Sequence, residues 1–351
     1  MEAFVMKEIG EVGFAEKPRP TDPGPNGAIV KTVKALVCSS DTHTVAGAIG
    51  ERENLTLGHE AVGVIDRLGG AVEGYEEGDR VAVNAITPCY KCENCLRGYP
   101  SQCSEMLGGW KFANTKDGVF AEYFHVNSAE ANLAAIPEYV ADEAAVYCCD
   151  MMSTGFAAAE NAEIPVGGTV VVFALGPVGL MAVVGCRLQG AGLVIGVDTV
   201  EKRMALAQEY GADVVVDFQS RDPIEAVMEL TDGQGVDAAI EALGAEETFE
   251  MCVKATRPGG TISNVGYHGE GEYVRIPRAE WGVGMSDKTI RTALCPGGKV
   301  RMKRLMRLLQ NGRVDPTKMT THTFPFDEIE TAFHMMETKE DGIIKPLIEF
   351  E

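Results

Sequence analysis

Residues 169–179 read Thr-Val-Val-Val-Phe-Ala-Leu-Gly-Pro-Val-Gly. Five β-branched and aromatic residues predict a short strand buried on both faces. The Gly176-Pro177 pair interrupts it, and the next apolar run, Leu180–Leu188, has the length and composition of a buried helix. Working outward, Leu193–Val197 predicts a second strand and Val200–Tyr210 a charged helix. Further strands are expected at Val214–Val216, Val236–Ile240 and Thr261–Val265, with helical stretches between them and a stop at Pro258-Gly259-Gly260. Strands that alternate with helices in this way predict an α/β fold, a doubly wound parallel sheet with right-handed crossovers. The uncharged stretch from Val166 to Cys186 is long enough to span a bilayer, but its β-branched first half and central Gly-Pro favour the strand–turn–helix reading.

The turn itself carries chemistry. Ala174-Leu-Gly176-Pro177-Val178-Gly179 resembles the dinucleotide turn G-x-G-x-x-G with its first glycine replaced by alanine. Gly176 would admit a pyrophosphate close to the backbone, and Gly179 would let helix and strand pack closely, with the phosphates at the positive end of the helix. Asp198 ends the second strand, 19 residues beyond Gly179. A carboxylate there can accept both ribose hydroxyls of NAD and repel a 2′-phosphate, and Thr199 and Val200 supply no cation for one. The expectation is therefore NAD, with NADP less favoured. Asp198 also suits a cap for the next helix, and the two roles can coexist.

The first 150 residues differ. They are rich in Gly and Pro, hold short strand-like runs such as Gly27–Val30 and Arg80–Val83, and predict a mainly β domain. Within them, Cys89, Cys92, Cys95 and Cys103 follow C-x2-C-x2-C-x7-C. Four thiolates converging from one short loop make a coordinatively full tetrahedral site suited to structural zinc, with an iron–sulfur cluster as the alternative. Near the other end, Lys303–Leu309 is amphipathic and Ile343–Phe350 reads as extended.

Composition bounds the partners. Lys and Arg number 31 against 52 Asp and Glu, a net charge of −21, which would repel a phosphate backbone and argues against a nucleic-acid partner. Met1-Glu2-Ala3-Phe4 has no basic stretch before an apolar core, so no secretion signal and no membrane partner are expected. Ten cysteines without such a signal point to a reducing, cytoplasmic setting, where clustered cysteines bind metal more often than they form disulfides.

Three further segments are Cys38-Ser-Ser40-Asp41-Thr-His43, Gly58-His59-Glu60 and Asp150-Met-Met-Ser-Thr-Gly155. Spacing alone does not join them. Together with the cysteine loop and the Gly176–Gly179 turn, they resemble the zinc-containing medium-chain alcohol dehydrogenases. The similarity runs through essentially the whole chain and is closest to the bacterial and protozoan secondary-alcohol dehydrogenases.

That resemblance implies a Rossmann dinucleotide-binding domain over 154–294 and a GroES-like catalytic domain over 1–153 completed by 295–351. It implies a catalytic zinc on Cys38, His59 and Asp150 with Glu60 as a nearby, exchangeable ligand, and so two zinc ions per subunit. Ser40 and His43 would relay the alcohol's proton. Ala85, Trp110, Tyr267, Leu294 and Cys295 would line a small substrate pocket, and Arg203 would lie near the adenosine ribose. Three protein ligands leave one zinc position for a substrate oxygen, whose pKa the ion would lower before hydride passes to the nicotinamide. Many of these relatives prefer NADP and place a small residue where this chain has Asp198. The activity implied is hydride transfer between NAD(H) and a small secondary alcohol or ketone by a homotetramer, with polyol, butanediol and threonine dehydrogenases of the same family as alternatives.

Overall fold

The computed structural model describes residues 1–105, 114 and 116–351. Two compact units emerge, Met1–Ser153 with Cys295–Glu351, and Thr154–Leu294.

The second unit is a six-stranded sheet in the order Val214–Asp217, Leu193–Asp198, Thr169–Phe173, Val236–Glu241, Thr256–Asn264, Thr289–Thr292. Every pairing in it is parallel. In chain order this is 3-2-1-4-5-6, the doubly wound nucleotide-binding arrangement, whose ligand crevice lies beyond the carboxyl ends of the first and fourth strands. Val171, Phe173, Ile195 and Ile262 are fully or almost fully buried in its core, which explains the uninterrupted apolar strands. The uncharged stretch long enough for a bilayer folds instead as strand Thr169–Phe173 and helix Pro177–Leu188. Among the described residues no helix is long and apolar enough to cross a membrane.

The turn between them keeps the glycine-type geometry despite Ala174, which adopts the left-handed φ of +71°. An alanine there costs about 1 kcal/mol relative to glycine. Gly179 is required for closer reasons: a Cβ on it would stand 1.9 Å from the Ala174 carbonyl oxygen.

The first unit is mainly β. Its larger sheet runs Thr320–Pro325, Lys345–Glu349, Ala28–Leu36, Ala61–Leu68, Arg80–Val83, Leu133–Ala135, with Tyr123–Val126 also paired to Ala28–Leu36. A smaller sheet joins Glu11–Glu16, Glu2–Glu8 and Leu55–Thr56. Phe4, Val30, Leu57, Val81, Phe120 and Ile348 are among the buried side chains that fill the space between them.

The register at the centre of the larger sheet gathers residues from distant parts of the chain. Leu36 N–H donates to Glu60 O on one side, and Val37 N–H donates to Pro346 O on the other. Cys38, the His59-Glu60 pair and Lys345 are thereby brought to one end of three adjacent strands.

Candidate metal centre and nucleotide pocket

Cys38 caps the helix Ser39–His43, whose Asp41 is 3% exposed. Asp41 turns both oxygens inward. Oδ2 accepts from Cys38 N–H at 2.9 Å, and Oδ1 lies 3.1 Å from His59 Nδ1. A carboxylate on Nδ1 leaves the Nε2 lone pair free to face the cluster, the arrangement found behind metal-bound histidines. His59 Nε2 lies 3.6 Å from Asp150 Oδ2 and 3.4 Å from Ser40 Oγ. Cys38, His59, Glu60 and Asp150 each offer a ligand atom within 4.8 Å of the others. Donors about 2.1 Å from a tetrahedral ion stand about 3.4 Å apart, so the set fits a zinc-sized cation.

Electrostatics favour a cation there too. Burial opposes charging of His59, but Asp41 beside it and hydrogen bonding to Asp150, Asp41 and Cys38 outweigh burial and hold its pKa well above the usual histidine value. A hollow that draws a proton onto an imidazole so firmly will draw a dication also. Behind it, the Glu60 and Lys345 side chains form an ion pair with both members fully buried. Burial pushes the Glu60 carboxyl up to about 7, with Lys345 pulling the other way. Burial also acts against the Lys345 charge, yet Cys38, Glu60 and Asp150 together raise its pKa above that of an ordinary lysine. The pair's proton stays on Lys345, which faces Cys38, Glu60 and Asp150.

The four-cysteine loop forms a second cluster. Cys92 Sγ stands 3.5 Å from Cys95 Sγ and 3.9 Å from Cys103 Sγ, and Cys103 Sγ is 3.6 Å from Cys89 Sγ. Four sulfurs at about 2.3 Å from one tetrahedral zinc would be separated by about 3.8 Å. Backbone N–H groups of Lys91 and Cys92 donate to Cys89 Sγ, at 3.5 and 3.3 Å. Hydrogen bonds from Cys95 and Ser104 pull the Cys92 thiol down to about 5, while burial and its thiol neighbours push Cys95 up to about 12. Four neighbouring thiols cannot all ionise unless a cation sits among them.

The remaining site residues are spread over both units. Ser40 is exposed at the mouth of the first cluster, and His43 is exposed one helical turn further on. Ala85 and Cys295 are buried and pack together with Ile86. Tyr267 and Leu294, in the other unit, are 52% and 43% exposed. Trp110 lies outside the described residues. Two participants carried no assigned role in the sequence: Asp41, visible only as a motif letter, and Lys345. A lone lysine inside Ile343–Ile348 was the available signal, because lysine enters an apolar strand only when paired.

In the second unit, Asp198, Thr199, Val200, Arg203, Phe218 and Leu243 help line a cavity of ≈ 350 Å³. Asp198 is 5% exposed and heavily engaged. Its Oδ2 accepts from Leu175 N–H at 2.8 Å, and its Oδ1 from Thr199 and Val200 N–H at 2.8 and 2.9 Å. The Arg203 guanidinium stands 3.8 Å from Oδ2, and the buried Arg203 Nε has no partner.

Residues 24–138 match the alcohol dehydrogenase GroES-like domain, and residues 177–311 match the zinc-binding dehydrogenase family. The chain is 51% identical over 351 residues to the NADP-dependent isopropanol dehydrogenase of Thermoanaerobacter brockii, covering 99% of each. It is 46% identical over 350 residues to the enzyme of the same name from Entamoeba histolytica, covering 99% of this chain and 95% of that one. Among solved structures, zinc dependent alcohol dehydrogenase 2 from Streptococcus pneumonia superposes with a TM-score of 0.92 at 30% identity, covering 100% of this chain and 99% of that chain.

These relatives overturn one expectation. Asp198 and the absence of a cation at 199 and 200 predict a preference for NAD over NADP, whereas the relatives are named NADP-dependent. The bonding around Asp198 gives the reason. Three backbone donors and a guanidinium already engage the carboxylate, so its charge alone does not bar a phosphate, and Arg203 supplies the cation that 199 and 200 lack.

Proposed function

Because this chain belongs to the zinc-containing medium-chain alcohol dehydrogenases, we propose that it interconverts small secondary alcohols and ketones with a nicotinamide dinucleotide. One observation carries the reading: Cys38, His59 and Asp150 converge on a common point, with the hydroxyl of Ser40 beside them. The names of the relatives, isopropanol dehydrogenases, support the substrate class.

Cys38, His59 and Asp150 would hold a zinc ion, whose contribution when bound is Lewis-acid polarisation of the substrate oxygen. The protein's own groups do the rest. Asp41 keeps Cys38 and His59 aimed. Ser40 accepts the proton that the alcohol gives up. His43, three residues on and so on the same helical face, passes it outward. Gly176, Pro177, Val178 and Gly179 cradle the pyrophosphate, and Asp198 with Arg203 holds the adenosine ribose. Ala85 and Cys295, which pack together in the first unit, would bound the alkyl groups, and only small ones would fit. The cysteine loop takes a second, structural zinc.

The ten cysteines, none of them in a disulfide, support a cytoplasmic setting. A homotetramer is part of the proposal. Val283 and Met285, 56% and 79% exposed near the edge strand Thr289–Thr292, support burial against another copy.

The test is a rate panel over 2-propanol, 2-butanol, 2,3-butanediol, sorbitol, threonine and ethanol, each with NAD and with NADP. The highest kcat/KM is expected for 2-propanol or 2-butanol. A preference for sorbitol, butanediol or threonine would transfer the chain to its polyol- or amino-alcohol-oxidising relatives. In the same assay Ser40→Ala should lower kcat by about a hundredfold or more with zinc content intact.

A further inference from the structure

We propose that a buried amide pair, Asn84 and Asn132, sets the width of the alkyl pocket by fixing the distance between its two walls. Neither residue reaches solvent, and both are positioning residues. The inference rests on reading Ala85 and Cys295, which pack with Ile86, as walls of that pocket.

The first wall is the turn that follows the strand Arg80–Val83. Asn84 lies opposite Asn132, its N–H donating to Asn132 O at 2.9 Å and its Nδ2 to Asn132 Oδ1 at 3.0 Å. Asn132 Nδ2 donates in turn to two backbone carbonyls, Pro88 O at 3.0 Å and Asn127 O at 2.9 Å. Asn127 Nδ2 donates to Thr87 O at 2.8 Å. The chain on either side of Ala85-Ile86 is thus tied down by side-chain amides, and the two apolar residues between have little freedom to retreat. The second wall is the segment from Cys295 to Gly297, held where Gly297 N–H donates to Ser153 Oγ at 3.2 Å. Asn84 joins the walls. Its Oδ1 accepts from Ile86 N–H at 3.4 Å and lies close against Gly297, where a Cβ would stand 1.7 Å from it. Gly297, at a φ of +48°, permits both that approach and that backbone turn. Apolar side chains would fill this space more cheaply, since a buried amide must give up its water. What amides add is direction: their bonds together admit one placement of the turn, and so one gap between Ile86 and Cys295.

Two readouts test the pair in the zinc-loaded protein, one of them independent of the reaction. Asn84→Ala lets the walls part. Alkylation of Cys295 by N-ethylmaleimide, followed by peptide mass spectrometry, should then quicken about tenfold or more, while Cys186, fully buried in the other unit, keeps its rate. The ratio of kcat/KM for 2-octanol to that for 2-propanol should also rise about tenfold or more. Adding Gly297→Ala to Asn84→Ala puts a methyl where the amide oxygen stood, and should return both readings toward wild type. Asn132→Ala frees the same turn with Asn84 still present, and should move both readings as Asn84→Ala does. Unchanged labelling of Cys295 or, in an active protein, an unchanged ratio overturns the proposal, as does labelling that quickens equally at Cys186. Should Asn84→Ala fail to fold, Asn132→Ala decides by the same readings. If Cys295 labelling responds as expected but the wild-type chain oxidises no secondary alcohol, the hold of the amides on the two walls stands and the alcohol reading falls.

Discussion

Two groups of side chains here can each grip a metal ion, and they are built in opposite ways. Cys89, Cys92, Cys95 and Cys103 sit within 15 residues, share one donor type, and lean on backbone N–H groups for support. Cys38, His59, Glu60 and Asp150 span more than a hundred residues, mix sulfur, nitrogen and oxygen, and are backed by a carboxylate and a buried ammonium. The compact group is closed: four soft donors complete a tetrahedron and hold a loop. The dispersed group is drawn from separate segments that the fold brings together, which frees its donors from being identical. A chemical centre needs that second kind of construction, since reactivity depends on incomplete coordination combined with fixed aim.

The contrast can be broken experimentally. Cys38→Ala should reduce kcat/KM by about a thousandfold or more while one zinc per chain remains, because the ion's contribution amounts to several kcal/mol. Metal analysis beside steady-state rates checks this, and near-normal activity would show that the dispersed group is not the reactive one. Cys103→Ser should act through stability. Loss of the closed site is expected to cost several kcal/mol in urea unfolding, with kcat per folded, metal-loaded chain unchanged. If kcat per loaded chain fell instead, the division between holding and reacting would fail. The smallest effect belongs to Asp41→Asn, which keeps the shape and removes the charge. About 10- to 100-fold weaker zinc retention against a chelator is expected at the dispersed group alone.

The same contrast explains what could be read from the chain. The four cysteines announce themselves because a single loop imposes their spacing. The parallel sheet is equally plain, since strands such as Thr169–Phe173 are buried on both faces and so read as unbroken apolar runs. In the mainly β unit Arg80–Val83 was legible whole, but only the start of Ala28–Leu36 was, because Lys31, Thr32 and Lys34 interrupt its apolar pattern. The dispersed centre needed the family's motifs, as nothing in the spacing joins Cys38 to Asp150. Lys345 escaped altogether, its partner lying 285 residues away. Asp198 shows a different limit: residue type reveals a charge, but not the three amides and the arginine that already engage it.

Asp41 bonds the backbone of one ligand with one oxygen and the ring of another with the second. The aim of Cys38 and His59 is thus set by the polypeptide and not by whatever ion arrives. A socket that keeps its shape cannot select by reshaping itself, and for first-row divalent metals intrinsic affinity tracks the general series more than it tracks need. Among ions that accept this fixed geometry and donor set, supply then decides which one fills the socket, and growth in cobalt-rich medium should yield a cobalt-loaded protein.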